Sequence, residues 1–435
     1  MKSYHIITFG CQMNEHDSER MAGILESRGL LRAAGPDDAD VVVLNTCSIR
    51  EKAEQKFYSE LGRLSDPSSG RTRVIAVAGC IAQQEGVRIA SRAPSVALVV
   101  GPSDIARIAD MTVGLQGRGR PLIATEGDPD YHRKILPALR EDRLKAWVSI
   151  MYGCDNFCTY CVVPHLRGRE RSRSSADILA EIRGLGAKGY REVTLLGQNV
   201  NSYGKGLEER CGFPELLRRV QNVDSIERIR FVTSHPRDLS SDLIAAMRDL
   251  SKVCEALHLP VQSGSNRILA SMNRRYTVEE YREKVSRLRE AVPGIVLTTD
   301  IIVGFPGERE EDHQRTLELL RDIEFDGIFA FKYSKRPQTK ALELSEHLPE
   351  SVKDKRLAEV FAVQNAVSER KNRLYVGTIQ EVLIEGKSKK GDMLSGRTRG
   401  NKVVNFPGPE DLIGSTLSIR IISAGPNSFI GEQCA

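Results

Sequence analysis

The chain has 435 residues, of which 40% are hydrophobic and 28% charged, the make-up of an ordinary soluble protein, and that length is expected to divide into two to four domains, each with its own core. No apolar run approaches the roughly 20 residues that a membrane-spanning helix needs, and the start lacks the apolar segment of a secretory signal, so the expected setting is the cytoplasm with no membrane partner. A net charge of +5 permits an acidic partner such as RNA without requiring one, and nine cysteines in such a chain read as ligands or redox centres rather than disulfide partners.

In chain order, residues 4–9, 41–44 and 74–77 are short apolar runs separated by segments of helical character at 17–28 and 48–64. The alternation predicts a parallel sheet within an α/β domain over residues 1–120. Each of these runs is followed by one or a few small or polar residues and then a cysteine: Cys11, Cys47 and Cys80. A lone cysteine at a strand end is ordinarily a buried small hydrophobe. Recurrence at three strand ends points elsewhere, because ligands in open α/β sheets gather beyond the carboxyl ends of the strands. These three are therefore expected to hold a metal cluster that is open at one corner.

Residues 121–143, mixed in charge and without periodicity, read as a linker. Residues 147–152 then form a strand that runs into Cys154, Cys158 and Cys161, three thiols within eight residues. A structural zinc site wants four protein ligands, whereas a 4Fe-4S cluster on three cysteines leaves one iron free for a substrate. Strand-like runs at 192–196, 228–232, 256–260, 295–299 and 327–331, with helices between them, complete six β/α units over residues 144–370, a partial or full barrel with its functional loops at the C-terminal rim. In the tail, alternating segments at 377–383, 392–398, 402–405 and 416–422 predict a small β-barrel over residues 371–435. Basic residues concentrate at 166–173 and 386–402 and are candidate phosphate or carboxylate contacts. Cys211, Cys254 and Cys434 fit no ligand pattern and are expected to be structural.

The Cys154, Cys158, Tyr160, Cys161 pattern resembles the cluster motif of radical S-adenosylmethionine enzymes. With residues 8–14 (Thr-Phe-Gly-Cys-Gln-Met-Asn), 45–50 (Asn-Thr-Cys-Ser-Ile-Arg), Gly79-Cys80 and 168–170 (Gly-Arg-Glu), the whole chain is similar to the methylthiotransferase family. The Cys-Gln-Met-Asn run is most similar to the branch that makes 2-methylthio-N6-isopentenyladenosine in tRNA. The resemblance implies two 4Fe-4S clusters. The first, on Cys154, Cys158 and Cys161, would cleave S-adenosylmethionine to a 5′-deoxyadenosyl radical. The second, on Cys11, Cys47 and Cys80, would supply sulfur for insertion at C2 of the adenine. It also implies a tail resembling the TRAM module, a tRNA anticodon stem-loop as substrate, a reduced flavodoxin- or ferredoxin-type electron donor, a sulfur or cluster-assembly donor, and a monomer.

With S-adenosylmethionine as the expected cofactor, the polar residues after the barrel strands become candidates to hold it: Gln198 and Asn199, Ser234, Gln262 and Ser263, and Asp300, with Tyr160 packing beside the adenine. His235 and His258 read as internal hydrogen-bond partners rather than participants. The chain departs from the family at Gln338, where glycine is common and a turn with positive φ is expected. Two other readings are carried: a sister methylthiotransferase acting on threonylcarbamoyladenosine or on a ribosomal-protein aspartate, and a non-catalytic, metal-stabilised RNA-binding protein.

Overall fold

The computed structural model describes residues 1–48, 51–66, 73–115, 120–134, 136–389 and 391–434. Ile49 and Arg50 of the 45–50 motif, Ile135 of the expected linker and Lys390 of the basic tail run lie outside the described residues. No described helix is long and apolar enough to cross a membrane.

The N-terminal sheet is parallel throughout, in the order β2-β1-β3-β4-β5-β6. Its strands are β1 Ser3–Phe9, β2 Leu31–Arg32, β3 Val41–Thr46, β4 Val74–Gly79, β5 Val96–Val100 and β6 Leu122–Ala124, with helices α1 Gln12–Ser27, α2 Glu51–Leu64, α3 Cys80–Glu85, α4 Val87–Arg92 and α5 Ile108–Val113. All six residues of β3 are buried, as an unbroken apolar run at the centre of a parallel sheet requires. Its neighbours β1 and β4 bring the residues before the three cysteines into line, with Phe9 paired to Thr46 and Thr46 to Gly79. The helix expected from residue 17 starts five residues earlier, directly after Cys11. The strands β2, β5 and β6 go beyond the expected three. Of these, Leu122–Ala124 lies within the stretch expected to be linker, where a three-residue strand is too short to show a period.

The central strands are β7 Lys145–Ser149, β10 Glu192–Leu196, β11 Arg228–Phe231, β12 Ala256–His258, β13 Val296–Val303 and β14 Gly327–Lys332; a short antiparallel pair, β8 Met151–Tyr152 and β9 Arg171–Ser172, brackets the cysteine loop. Two three-stranded parallel sheets, β11-β10-β7 and β12-β13-β14, are joined by a bridge between Ile229 and Val253. The six strands thus form a partial barrel, open between β7 and β14. Val193, Leu195, Ile229, Phe231, Leu297, Ile301 and Ala330 point outward into the main core, and alternation sends Thr194, Arg230, Asp300 and Phe329 inward. The helix α6 Val163–Arg167 follows the cysteine loop; the outer layer is α7 Ser175–Ala187, α8 Phe213–Gln221, α9 Ser241–Asp249, α10 Asn266–Ser271, α11 Val278–Ala291, α12 Glu310–Ile323 and α13 Glu350–Arg373. Their starts are written in capping residues, such as Ser174, whose Oγ accepts from the Asp177 amide at 3.1 Å, and Thr277 with Glu280.

The tail closes into a five-stranded barrel, β15-β16-β17-β19-β18, from β15 Ile379–Lys387, β16 Leu394–Thr398, β17 Val403–Phe406, β18 Thr416–Ala424 and β19 Ser428–Gln433. The fifth strand is additional to the expected four, and its parallel pairing with β17 is what closes the barrel. Part of the basic tail run is consumed in docking. Arg399 pairs with Glu255 at 2.7 Å, and Lys402 Nζ donates to the Asp326 carbonyl at 3.2 Å. In return, Arg228 and Arg230 of β11 donate to the carbonyls of Arg397 and Arg399 at 2.8 and 2.7 Å. These contacts lie at the starts of the central strands, so the tail barrel caps the end opposite the cysteine loop.

Candidate active site

Cys11 follows β1, Cys47 follows β3 and Cys80 opens α3, and the three thiols come into mutual hydrogen-bonding range with Cys47 in the middle. The close approach depends on small residues. A Cβ on Gly79, at φ +89°, would lie 2.4 Å from Asn45 Oδ1, and one on Gly10 would lie 2.8 Å from Cys47 Cβ. Asn14 and Asn45 lock the arrangement: Asn14 Nδ2 donates to Asn45 Oδ1 at 3.2 Å, Asn45 Nδ2 donates to the Asn14 carbonyl at 2.8 Å, and the Cys11 thiol donates to Asn14 Oδ1 at 3.3 Å. The hydrogen bond from the Cys47 thiol pulls Cys11 down to about 6 and Cys80 to about 7, with the Arg167 guanidinium adding to both, while Cys47 is held well above its ordinary value by the same two bonds. Cys11 and Cys80 are therefore biased toward the thiolate form that a metal needs, while Cys47 keeps its proton until a cation replaces it. Around the trio, buried Thr46 Oγ1, Ser48 Oγ and Asp17 Oδ1 have no hydrogen-bond partner among the described residues, and such unpaired buried atoms call for a further partner.

The central trio is shaped by a different set of contacts. Gly153, at φ +74°, turns the chain out of β8 where a Cβ would lie 2.1 Å from the Arg169 carbonyl. The loop is clamped by the segment after α10: Thr159 N donates to the Met272 carbonyl at 3.1 Å, and Asn273 Nδ2 to the Phe157 carbonyl at 3.0 Å. Phe157 itself is held at φ 49°. Burial raises Cys154 to about 11 and Cys161 to about 12, so these thiols keep their protons until a cation replaces them. Arg274 Nη1 donates to Cys158 Sγ at 3.4 Å and lies 3.4 Å from the Tyr160 hydroxyl; its other nitrogens are fixed by the Pro260 carbonyl at 2.7 Å and the Tyr276 hydroxyl at 2.9 Å. Among the described residues, no three His, Cys, Asp or Glu groups converge on a point suited to a single ion.

The rim residues divide by what their polar atoms already do. Gln198 Oε1, Ser234 Oγ and Gln262 Oε1 are buried with no partner among the described residues, as are both amide atoms of Asn201. Asn199 donates to Asp238 at 2.7 Å and leaves its own Oδ1 unfilled. Ser263 is turned back into its loop, where its Oγ accepts from the Ser265 amide at 3.2 Å, and Asp300 Oδ1 lies 3.3 Å from His258 Nε2. Tyr160 packs on the cluster of Ile268, Phe305 and Tyr333. Two rim residues are held in the left-handed region, Thr233 and Gln262 at φ 69° and 74° in the loops after the third and fourth strands, and a β-branched residue there is an outlier.

The two trios are neighbours through one short helix. Cys80 packs on Val162 and Leu166, which follow Cys161 directly, and Arg167 at the end of α6 pairs with Asp17 of α1 at 2.8 Å. Two of the arginines read as possible phosphate contacts are thus internal: Arg167 here, and Arg173, which pairs with Glu181 at 2.8 Å. Arg169 and Arg171 stay exposed beside a cleft of about 410 Å³ that opens next to this seam. Sequence reasoning missed Arg274 and the Asn14–Asn45 pair, because their partners lie 116 and 31 residues away.

A partial parallel barrel with a three-cysteine loop after its first strand defines a radical S-adenosylmethionine fold, and the chain matches the radical SAM superfamily model over residues 148–320. It also matches the uncharacterized protein family UPF0004 over 3–101 and the TRAM domain over 373–433. Solved structures share the fold at low identity. The radical S-adenosylmethionine methyltransferase TsrM from Kitasatospora setae, with cobalamin and a [4Fe-4S] cluster bound, has a TM-score of 0.55 at 14% identity over 79% of this chain and 77% of that one. The cobalamin-dependent radical enzyme OxsB has 0.54 at 12% over 84% and 56%. Full-length relatives are much nearer. Proteins named tRNA-2-methylthio-N(6)-dimethylallyladenosine synthase are 48% identical in Thermodesulfovibrio yellowstonii (99% of this chain, 98% of that protein), 46% in Clostridium botulinum (99% and 96%) and 48% in Carboxydothermus hydrogenoformans (97% and 96%). The chain belongs to the family of tRNA-2-methylthio-N(6)-dimethylallyladenosine synthases.

Proposed function

We propose that this chain inserts a methylthio group at C2 of N6-dimethylallyladenosine beside the anticodon of tRNA. The observation that carries the reading is the meeting of two cysteine trios across the α3–α6 seam. It works with S-adenosylmethionine and two 4Fe-4S clusters, one on Cys154, Cys158 and Cys161 and one on Cys11, Cys47 and Cys80. When bound, these groups supply an adenosyl radical and sulfur. The rest is the work of side chains. Gln198, Ser234 and Gln262 offer their unfilled oxygens to the cofactor's amino and ribose groups. Arg274 orients Cys158. The packing of α3 on α6 and the Asp17–Arg167 pair between α1 and α6 hold the two trios beside one another. The wider reading places a monomer in the cytoplasm, with an anticodon stem-loop as substrate, a reduced flavodoxin- or ferredoxin-type donor and a separate sulfur or cluster-assembly donor.

Replacing Cys11, Cys47 and Cys80 by Ala is expected to lower iron from about eight to about four per chain and to leave reductive cleavage of S-adenosylmethionine intact while abolishing the 2-methylthio nucleoside in tRNA. Iron unchanged in that variant would overturn the assignment. A 2-methylthio-threonylcarbamoyl nucleoside made by the unaltered chain would instead favour the sister activity.

A further inference from the structure

We propose that Phe329 and Phe331, on the inner face of β14, seat the target adenine and its N6-dimethylallyl group, with His258 and Asp300 as the polar wall beside it; the proposal rests on the substrate reading above.

The two rings are only partly covered by the protein. On β14, Ala330 packs into the main core beneath the helices, so residues 329 and 331 face the barrel interior. There Phe329 is 52% and Phe331 39% exposed, two large aromatic faces left open on the interior side of the edge strand. The partial barrel is open along this edge, because β14 has β13 on one side and, among the described residues, no strand on the other.

What surrounds the rings fits a purine with an apolar substituent. In the β13–β14 register, Asp300 is opposite Phe329 and Ile302 is opposite Phe331. His258 meets Phe329 edge-on, with ring centroids 5.7 Å apart at 76°; its Nε2 lies 3.3 Å from Asp300 and its Nδ1 3.0 Å from Thr298 Oγ1. A base stacked on a phenylalanine face would therefore have hydrogen-bonding groups at its edge and hydrocarbon under its alkyl group. Ile302 also packs, with Tyr160 of the cysteine loop, onto the cluster containing Phe305 and Tyr333, so the aromatic pair is continuous with the site of radical formation. An N6 substituent ending in a carboxylate would meet apolar rings and the Asp300 carboxylate. This surface therefore selects the dimethylallyl group over threonylcarbamoyl.

The test compares the cluster-loaded full chain with Phe329→Ala, Phe331→Ala, Phe331→Leu and the double alanine variant. Binding is measured to anticodon stem-loop RNAs carrying either N6-dimethylallyladenosine or plain adenosine at the target position. The unaltered chain is expected to prefer the alkylated RNA, and each alanine change to erode that preference by about tenfold. Phe331→Leu, which keeps hydrocarbon but loses the aromatic face, should fall between. RNA-free cleavage of S-adenosylmethionine, unchanged in every variant, verifies an intact fold and cluster. A preference retained in the double variant overturns the proposal while leaving the substrate reading in place. An unaltered chain that shows no preference and transfers no methylthio group overturns both.

Discussion

Asp17 of α1 and Arg167 of α6 meet at 2.8 Å with side chains only 1% and 5% exposed, and this ion pair ties the N-terminal domain to the cysteine loop of the central one. Arg167 also faces Cys11 and Cys80 closely enough to favour their thiolates. The pair thus serves both the domain junction and the candidate ligands.

Removing one partner leaves a buried charge uncompensated. Asp17→Asn is expected to destabilise the protein by about 3–5 kcal/mol, and the Asp17→Asn, Arg167→Met double variant by less than the sum of its parts. Urea unfolding of the four members of that cycle measures the coupling. Additive losses would show that the pair is energetically silent.

Arg274 places a guanidinium on Cys158 at 3.4 Å and is otherwise held by neutral oxygens. A cation beside a cluster thiolate stabilises the reduced, more negative state. In Arg274→Gln the midpoint potential of the cluster on the central trio is therefore expected to fall, as read by an EPR redox titration in the Cys11, Cys47, Cys80→Ala background. An unchanged midpoint would restrict Arg274 to packing.

His235 sits in the rim loop after β11. Burial first, then the charges of Arg274, Arg237 and Lys284, push it down to about 2; its Nδ1 accepts from the Arg237 amide at 3.2 Å and its Nε2 has no partner. The folded state therefore refuses a proton that the unfolded chain takes up near pH 6.5. Its contribution is fully present above that pH and lost at about 1.4 kcal/mol per unit as the pH falls below it. Between pH 7.5 and pH 5 the His235 share of the stability loss should be about 2 kcal/mol, read as the difference between the pH dependence of unfolding in the unaltered chain and in His235→Gln.

Gln338 carries φ 65° on an exposed turn, the left-handed region foreseen from its alignment with a usual glycine. An L side chain pays about 1–2 kcal/mol there and glycine repays part of the difference in unfolded-state entropy, so Gln338→Gly should gain about 0.5–1 kcal/mol. Chemical denaturation settles the sign.

Much of the architecture was legible in the sequence because it is locally encoded. Strand β10 was expected at residues 192–196 and is found at Glu192–Leu196, since a short run rich in Val, Thr and Leu between two helical segments reads as a strand. The six central strands follow from the same local logic, whereas the positive φ at Gln338 was foreseen only from the family resemblance. By contrast β6 and β19 went unseen: three residues carry no period, and Ser428–Gln433 becomes a strand only through pairing with β17 and β18.

What the amino-acid order alone determined was the chemistry on offer: two sets of three thiols, each placed just past an apolar strand, and the periodicity that made a parallel sheet, a partial barrel and a small closed barrel. Tertiary structure decided which groups meet. Strand order set Cys11, Cys47 and Cys80 on adjacent strands, Asp17 was brought to Arg167 across 150 residues, and Arg399 and Lys402 were turned from candidate RNA contacts into docking groups beneath the barrel. The physical reason is that hydrophobic period and turn chemistry act over a few residues. Ion pairs, orphaned polar atoms and exposed rings such as Phe329 acquire meaning only from neighbours that distant segments supply.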